Sequence, residues 1–403
     1  MLHLKRMAST QAWKPRYFDI GVNFSDAMFQ GCYNGSTTAK HPPDVEQVIK
    51  RAQLFNVRKM LITASSIAES EDHFTLVREH LGAFGSTVGV HPCSVAQEFY
   101  GGLENELPLA DVQEKLARLK GLTEKGVQDG LVKAFGEIGL DYDRLHYSSV
   151  LQQKEMFRAQ LQVVASLKHL RLPLFLHMRS ACADFVEIIK PFIESGDIER
   201  GNGVVHSFTG SADELSEILK LGFYVGVNGC SLKSPENLEV AKLIPKDKLL
   251  IETDAPWCEI RKSHASYPFL SPYPNLYYPE ITVPYKDKDE EQSQLVEPKK
   301  GQKQQKQKLQ QIKLDDMLPF PSIKKENFHK HMSLVQEKLE NLGENPNGLV
   351  GEFAYPLMKS RNEPVFVGSV AEVMVHLYDL KDIQEIQNFI DLVYENSCNL
   401  FRL

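Results

Sequence analysis

A parallel α/β fold closed into a TIM-type (β/α)8 barrel is what this sequence predicts, and three observations predict it. Short apolar, β-branched runs recur eight times, each bounded by polar or glycine residues. Longer segments with helical spacing separate them, the alternation of parallel βα units. After the eighth run, near residue 254, the composition changes sharply.

In chain order the expected strands are Tyr17–Phe24, Arg58–Thr63, Gly85–Val90, Val132–Gly136, Leu172–His177, Gly203–Ser207, Gly222–Asn228 and Leu249–Asp254. Amphipathic helices are expected over Val45–Phe55, Gln152–His169, Ala183–Ser195, Ala212–Leu221 and Pro235–Ile244, placed to cover a barrel. A doubly wound open sheet would more often have five or six strands and a glycine-rich phosphate loop after the first. The sequence shows neither. Residues 1–16 read as an N-terminal extension and 17–403 as a single barrel domain with a polar, low-complexity insertion at about 267–321. Within that insertion Lys299–Gln311 holds five Lys and six Gln, the composition of a solvated linker or frayed helix, with a nucleic-acid-touching arm as the alternative. Val370–Leu380 and Asp382–Phe401 would complete the outer helical ring.

The chain has 403 residues, 42% hydrophobic and 25% charged, the balance of a globular protein. No apolar run approaches a membrane span, and Met1–Lys14 lacks a secretory apolar stretch, so a cytoplasmic or nuclear protein with no membrane partner is expected. The six cysteines are far apart without a CxxC pair and read as reduced thiols. A net charge of −7 excludes a strongly basic nucleic-acid coat but allows a local positive rim around a site. No obligate protein partner is evident in the sequence.

The chemistry lies at the strand ends. At the C-terminal ends of barrel strands, side chains converge on one cavity. Glu137 follows the fourth run, His177 ends the fifth, His206 the sixth and Asp254 the eighth. Any one of them alone reads as a hydrogen-bonded structural residue. Four together, just after buried strands where an unpaired charge costs several kcal/mol, point to a shared metal ion.

The blocks GEIGLDYDR, LPLFLHMRS, VVHSFTG and LIETDAPW, in this order and spacing, resemble the signature blocks of TatD-family metal-dependent deoxyribonucleases. His91 in Val-Gly-Val-His-Pro and the late Arg361-Asn362-Glu363-Pro364 are similar to family blocks as well. The resemblance runs from Tyr17 to the C-terminus. It implies the metallo-dependent hydrolase architecture, one or two divalent cations (Mg²⁺ foremost, Mn²⁺ or Zn²⁺ as alternatives), and hydrolysis of DNA, commonly by 3′→5′ exonuclease action, with endonuclease action as an additional mode. Family members generally open with Asp-x-His-x-His, where both histidines bind a metal. Here the stretch is Asp19-Ile20-Gly21-Val22-Asn23, a form similar to that of a eukaryotic branch, which leaves Asn23 as a weak metal or water contact and puts a two-metal site in doubt.

The mechanism expected from these residues has Glu137, His177, His206 and Asp254 around the metal, Glu137 central enough to bridge two ions. Asp254 orients the attacking water and takes its proton. Arg179 steadies a non-bridging phosphate oxygen, with a structural ion pair as the alternative. His91 contacts the leaving oxygen or caps the third strand. Arg361 and Glu363 brace the site as a pair, or Arg361 faces DNA. Two other functions use similar parts: a small-molecule amidohydrolase, which usually needs the first-strand histidines, and a non-catalytic DNA-binding barrel.

Overall fold

The computed structural model describes residues 13–281, 314–341 and 353–403. Strands β1 (Tyr17–Val22), β2 (Val57–Ile62), β3 (Phe84–Val88), β4 (Val132–Asp141), β5 (Leu174–Arg179), β6 (Gly203–Val205), β7 (Tyr224–Val227) and β8 (Leu249–Ile251) pair in sequence order, every neighbour parallel. The end of β8 meets β1 through a parallel bridge between Val22 and Ala255, where Asn23 N–H donates to the Ala255 carbonyl at 2.8 Å. Eight parallel strands thus form a nearly closed barrel, the expected TIM-type architecture.

Between the strands run α1 (Val45–Leu54), α2 (Ile67–Glu79), α3 (Val112–Gln128), α4 (Val150–Ser166), α5 (Cys182–Glu194), α6 (Ala212–Lys220) and α7 (Pro235–Ala241). Several start on side-chain caps that relieve unpaired N–H groups: Ser149 with Gln152, Ser211 with Glu214 and Ser234 with Asn237 each form a capping box. After the barrel come β9 (Ser322–Ile323), α8 (Phe328–Asn341), β10 (Leu357–Met358), α9 (Val367–Leu377) and α10 (Ile383–Phe401), with β9 and β10 forming a separate parallel pair. No helix among the described residues is long and apolar enough to cross a membrane.

Two cores result. The barrel interior is filled by Phe18, Ile20, Leu61, Ala134, Phe175, Val204 and Leu250, packed with Leu400 and Phe401 of α10. The larger core lies between the strands' outer faces and the helices. Strands buried on both faces need apolar residues at every position, which is why they read as continuous runs.

The expected solvated insertion at about 267–321 needs correcting at both flanks. Tyr277, Tyr278, Leu318 and Phe320 are buried, and Phe320 packs on Phe55, just after α1, and on Phe353 with ring centroids 5.2 and 5.1 Å apart. Polar composition averaged over the whole stretch hides these aromatic anchors. Lys299–Gln311, like residues 1–12 of the expected N-terminal extension, lies outside the described residues.

Candidate active site

Side chains two apart on a strand share a face. His177 therefore follows Phe175 into the barrel, His206 follows Val204, and Glu252 follows Leu250, stacking a polar layer on the apolar one. Glu137 needs a further device. Ala134 faces the interior, so an unbroken β4 would turn residue 137 outward. The register with β5 slips between Gly136 and Ile138, which oppose Phe175 and Leu176 in succession. This one-residue bulge re-aims Glu137 inward and lets β4 continue to Asp141, five residues beyond its expected end. At Gly139, where φ is 146°, a Cβ would meet the His177 carbonyl, so glycine is required for the strands to approach.

Three imidazoles converge on the Glu137 carboxylate. Oε1 lies 2.5 Å from His206 Nε2, 2.8 Å from His177 Nδ1 and 3.2 Å from His91 Nε2. Burial alone would raise the Glu137 pKa, but the charges of His206 and His91 and hydrogen bonds from His177 and His206 hold it well below the usual carboxylate range. The same attraction works on the imidazoles. Burial would lower the His206 pKa, yet Glu137 and Glu252 hold it well above the usual value, and Glu137 likewise raises that of His91 against its burial.

Two carboxylates absent from the expected site stand behind these histidines. Asp141 Oδ2 lies 3.0 Å from His177 Nε2, so both ring nitrogens of His177 face carboxylates. Burial would raise the Asp141 pKa; the hydrogen bond and charge of His177, with Arg179 and Arg144, lower it instead. Glu252 Oε1 accepts from Ser207 N–H at 2.6 Å and Asn228 Nδ2 at 3.2 Å, while Oε2 lies 3.5 Å from His206 Nδ1. Asp141 follows from strand periodicity once β4 is given its full length, and Glu252 from the alternation that carries on from Leu250 of β8.

Asp254, the remaining residue of the expected site, is held by a different set of partners. It has left the strand, with φ of 54°, and its Oδ1 accepts from Asn23 Nδ2 at 2.9 Å while Cys258 Sγ lies 3.2 Å from Oδ2. Asn23 Oδ1 in turn accepts from Thr63 Oγ1 at 2.8 Å, so its amide is engaged in holding Asp254. Arg179 Nη1 is 3.9 Å from Asp141 Oδ2 and keeps a fifth of its side-chain surface exposed. Arg361 and Glu363 are fully buried: Arg361 forks onto Asp44 at 2.7 and 2.8 Å and reaches Glu363 at 2.9 Å, and Arg51 Nε holds the other Glu363 oxygen at 2.8 Å. Between them, Asn362 Nδ2 donates to the Thr253 carbonyl at 2.9 Å, tying this network to the turn that carries Asp254.

The donor set fits a divalent cation. His91, Glu137 and His177 each offer a ligand atom, all within 4.8 Å of one another. His206 Nδ1 and Glu252 Oε2 are buried without a hydrogen-bond partner. Imidazole nitrogens with carboxylate oxygens suit Zn²⁺ and Mn²⁺, and carboxylates with water suit Mg²⁺.

Comparison with known proteins places this geometry in a family. The model of the TatD related DNase family matches residues 18–337. Deoxyribonuclease Tat-D of Schizosaccharomyces pombe is 37% identical over 385 residues, 96% of this chain and 95% of that protein. The 3′-5′ ssDNA/RNA exonuclease TatD of Erwinia tasmaniensis is 38% identical over 60% of this chain and 80% of its own length. Among solved structures, an uncharacterized amidohydrolase from Saccharomyces cerevisiae is 33% identical and superposes with a TM-score of 0.72, covering 96% of this chain and all of its own. The chain belongs to the TatD related DNase family and is a hydrolase of ester bonds.

Proposed function

We propose that this chain is a divalent-metal-dependent deoxyribonuclease that shortens DNA from the 3′ end. The observation that carries the reading is the Glu137 carboxylate gathering His91, His177 and His206 at the C-terminal end of the barrel, the end where such barrels do chemistry. The 3′→5′ direction is supported by the activity named for the Erwinia tasmaniensis relative.

In this reading Glu137, His177, His206 and His91 hold the cation. A divalent ion there supplies a Lewis acid for a phosphate oxygen and lowers the pKa of a water towards neutrality. Asp254 takes the proton of the attacking water, with Asn23 fixing one of its oxygens. Arg179, part-exposed beside Asp141, reaches a non-bridging phosphate oxygen and steadies the charge that grows on it. Asp141 and Glu252 orient the imidazoles from behind.

The test is degradation of a 3′-labelled single-stranded DNA by metal-stripped protein titrated with Mg²⁺, Mn²⁺ and Zn²⁺, alongside Glu137→Ala and Asp254→Ala. Metal-dependent shortening, lost in both variants, is expected. Folded protein that cuts with no metal would overturn the reading.

A further inference from the structure

Beside Asp254 lies a cavity that the reaction above does not use. It has a volume of about 450 Å³ and is walled by the loop after β1 (Asp26–Gly35), the loop after β8 (Pro256–Arg261), Lys325 and Lys359–Ser360. Both loops leave the C-terminal ends of adjoining strands, so the cavity opens on the same face as the polar layer. It is continuous with the site: Trp257 N–H donates to the Asp254 carbonyl at 2.9 Å, and Cys258, which lines the cavity, touches the Asp254 carboxylate.

Its walls combine an aromatic face with cations. Trp257 is 53% exposed, and its indole lies beside Asp26 in the cavity wall. Asp26 accepts from Met28 N–H at 2.8 Å, so this acid caps its own loop. A large aromatic ring with half its surface in water at a cavity wall can serve as a stacking platform. Around it stand Arg261 and Lys359, both exposed, and Lys325, whose ammonium lies 4.6 Å from the centre of the Tyr33 ring. Glu259 is the other acid of the wall, and Arg261 Nε reaches it at 3.6 Å. In a chain of net charge −7, this gathering of cations beside an exposed tryptophan favours a ligand that is anionic and flat-ringed in alternation.

We propose that this cavity is a subsite for the single-stranded polynucleotide running away from the scissile bond, with a base stacked on Trp257 and phosphates held by Lys325, Lys359 and Arg261. The inference rests on the nuclease reading, and it makes the enzyme prefer strands over dinucleotides.

The test compares a 12-nucleotide oligo-dT with a dinucleotide. Trp257→Ala should raise KM for the 12-mer about tenfold while leaving kcat within about twofold, and Trp257→Phe should recover most of the loss, since stacking needs only an aromatic face. Lys325→Ser with Lys359→Ser should reduce the dependence of log KM on log salt by about 0.7 for each lysine. The advantage of the 12-mer over the dinucleotide should shrink in both cases. The chain has two tryptophans, so in a Trp13→Phe background quenching of fluorescence by oligo-dT reports Trp257 directly. An unchanged KM for the 12-mer in these folded variants, or no quenching, would overturn the subsite. Quenching and lysine-dependent binding without cleavage under any metal would leave the subsite standing and sink the nuclease reading instead.

Discussion

Replacing Arg361 by Met should cost the protein about 3–5 kcal/mol of stability without weakening its hold on DNA. The guanidinium is wholly buried and makes four contacts: two to Asp44, one to Glu363 and one, at 3.3 Å, to the Met28 carbonyl. Methionine fills a similar volume but leaves Asp44 buried beside only the His41 imidazole, 4.0 Å away, whose pKa burial lowers, so that it does not replace the lost cation. Glu363 keeps Arg51. One uncompensated carboxylate is therefore the damage, and removing one partner of a buried pair carries the quoted cost, a large share of a total of about 5–15 kcal/mol. The same logic makes Arg361→Met with Asp44→Leu less destabilised than Arg361→Met alone, since no orphaned charge remains. Urea unfolding followed by circular dichroism reads both variants. A loss below about 1 kcal/mol, or a double variant no better than the single, would refute the buried-network account. A raised KM for DNA in the folded single variant would show instead that Arg361 reaches substrate.

Three further outcomes follow from particular contacts. Burial pushes the Glu372 pKa from the ordinary 4.5 up to about 7, against a hydrogen bond from Ser271 N–H at 2.9 Å. Its contribution is therefore complete below pH 4.5 and lost as pH rises through 7, so Glu372→Gln should gain up to about 3 kcal/mol over the parent at pH 8 and little at pH 4.5; equal differences at both pH values would contradict this. Asp141→Asn weakens the partner of His177 Nε2 and should lower Mn²⁺ affinity about 10–100-fold by titration calorimetry, whereas an unchanged affinity would show that Asp141 does not act through His177. Gly21→Ala places a Cβ 2.7 Å from Glu252 Oε2 and should cost about 1–3 kcal/mol in thermal unfolding; a neutral result would mean that the Glu252 carboxylate moves freely.

The barrel was legible because its eight strands are buried on both faces and so stand out as apolar runs between amphipathic helices. Glu137, His177 and His206 were legible as polar residues at the ends of such runs, and the structure brings all three together with His91. Asp141 was not, because β4 crosses two glycines and a carboxylate, Gly136-Glu137-Ile138-Gly139, where an apolar run ends but hydrogen bonding does not. A bulge leaves little trace in composition. Asp254 was legible as a carboxylate after the eighth run, but its left-handed backbone three residues beyond β8 and its hydrogen bond from Asn23 were not, because composition carries no record of a turn's φ.

The first strand carries the largest departure from the family pattern, and the structure gives it a physical meaning. A side chain at position 21 would enter the space now held by Glu252 Oε2, and that carboxylate is pinned through its other oxygen by Ser207 and Asn228. The register of β1 with β2 also slips between Asp19 and Val22, so this stretch bulges where the pattern departs. Asn23, at the second substituted position, donates to Asp254 and accepts from Thr63, which spends its amide on orienting a carboxylate. Gly21 thus makes room for the carboxylate that faces His206, and Asn23 fixes that of Asp254. The two substitutions are matched to Glu252 and Asp254, two residues apart on the neighbouring strand end. Restoring histidine at position 21 alone would therefore collide with Glu252 before it supplied a ligand.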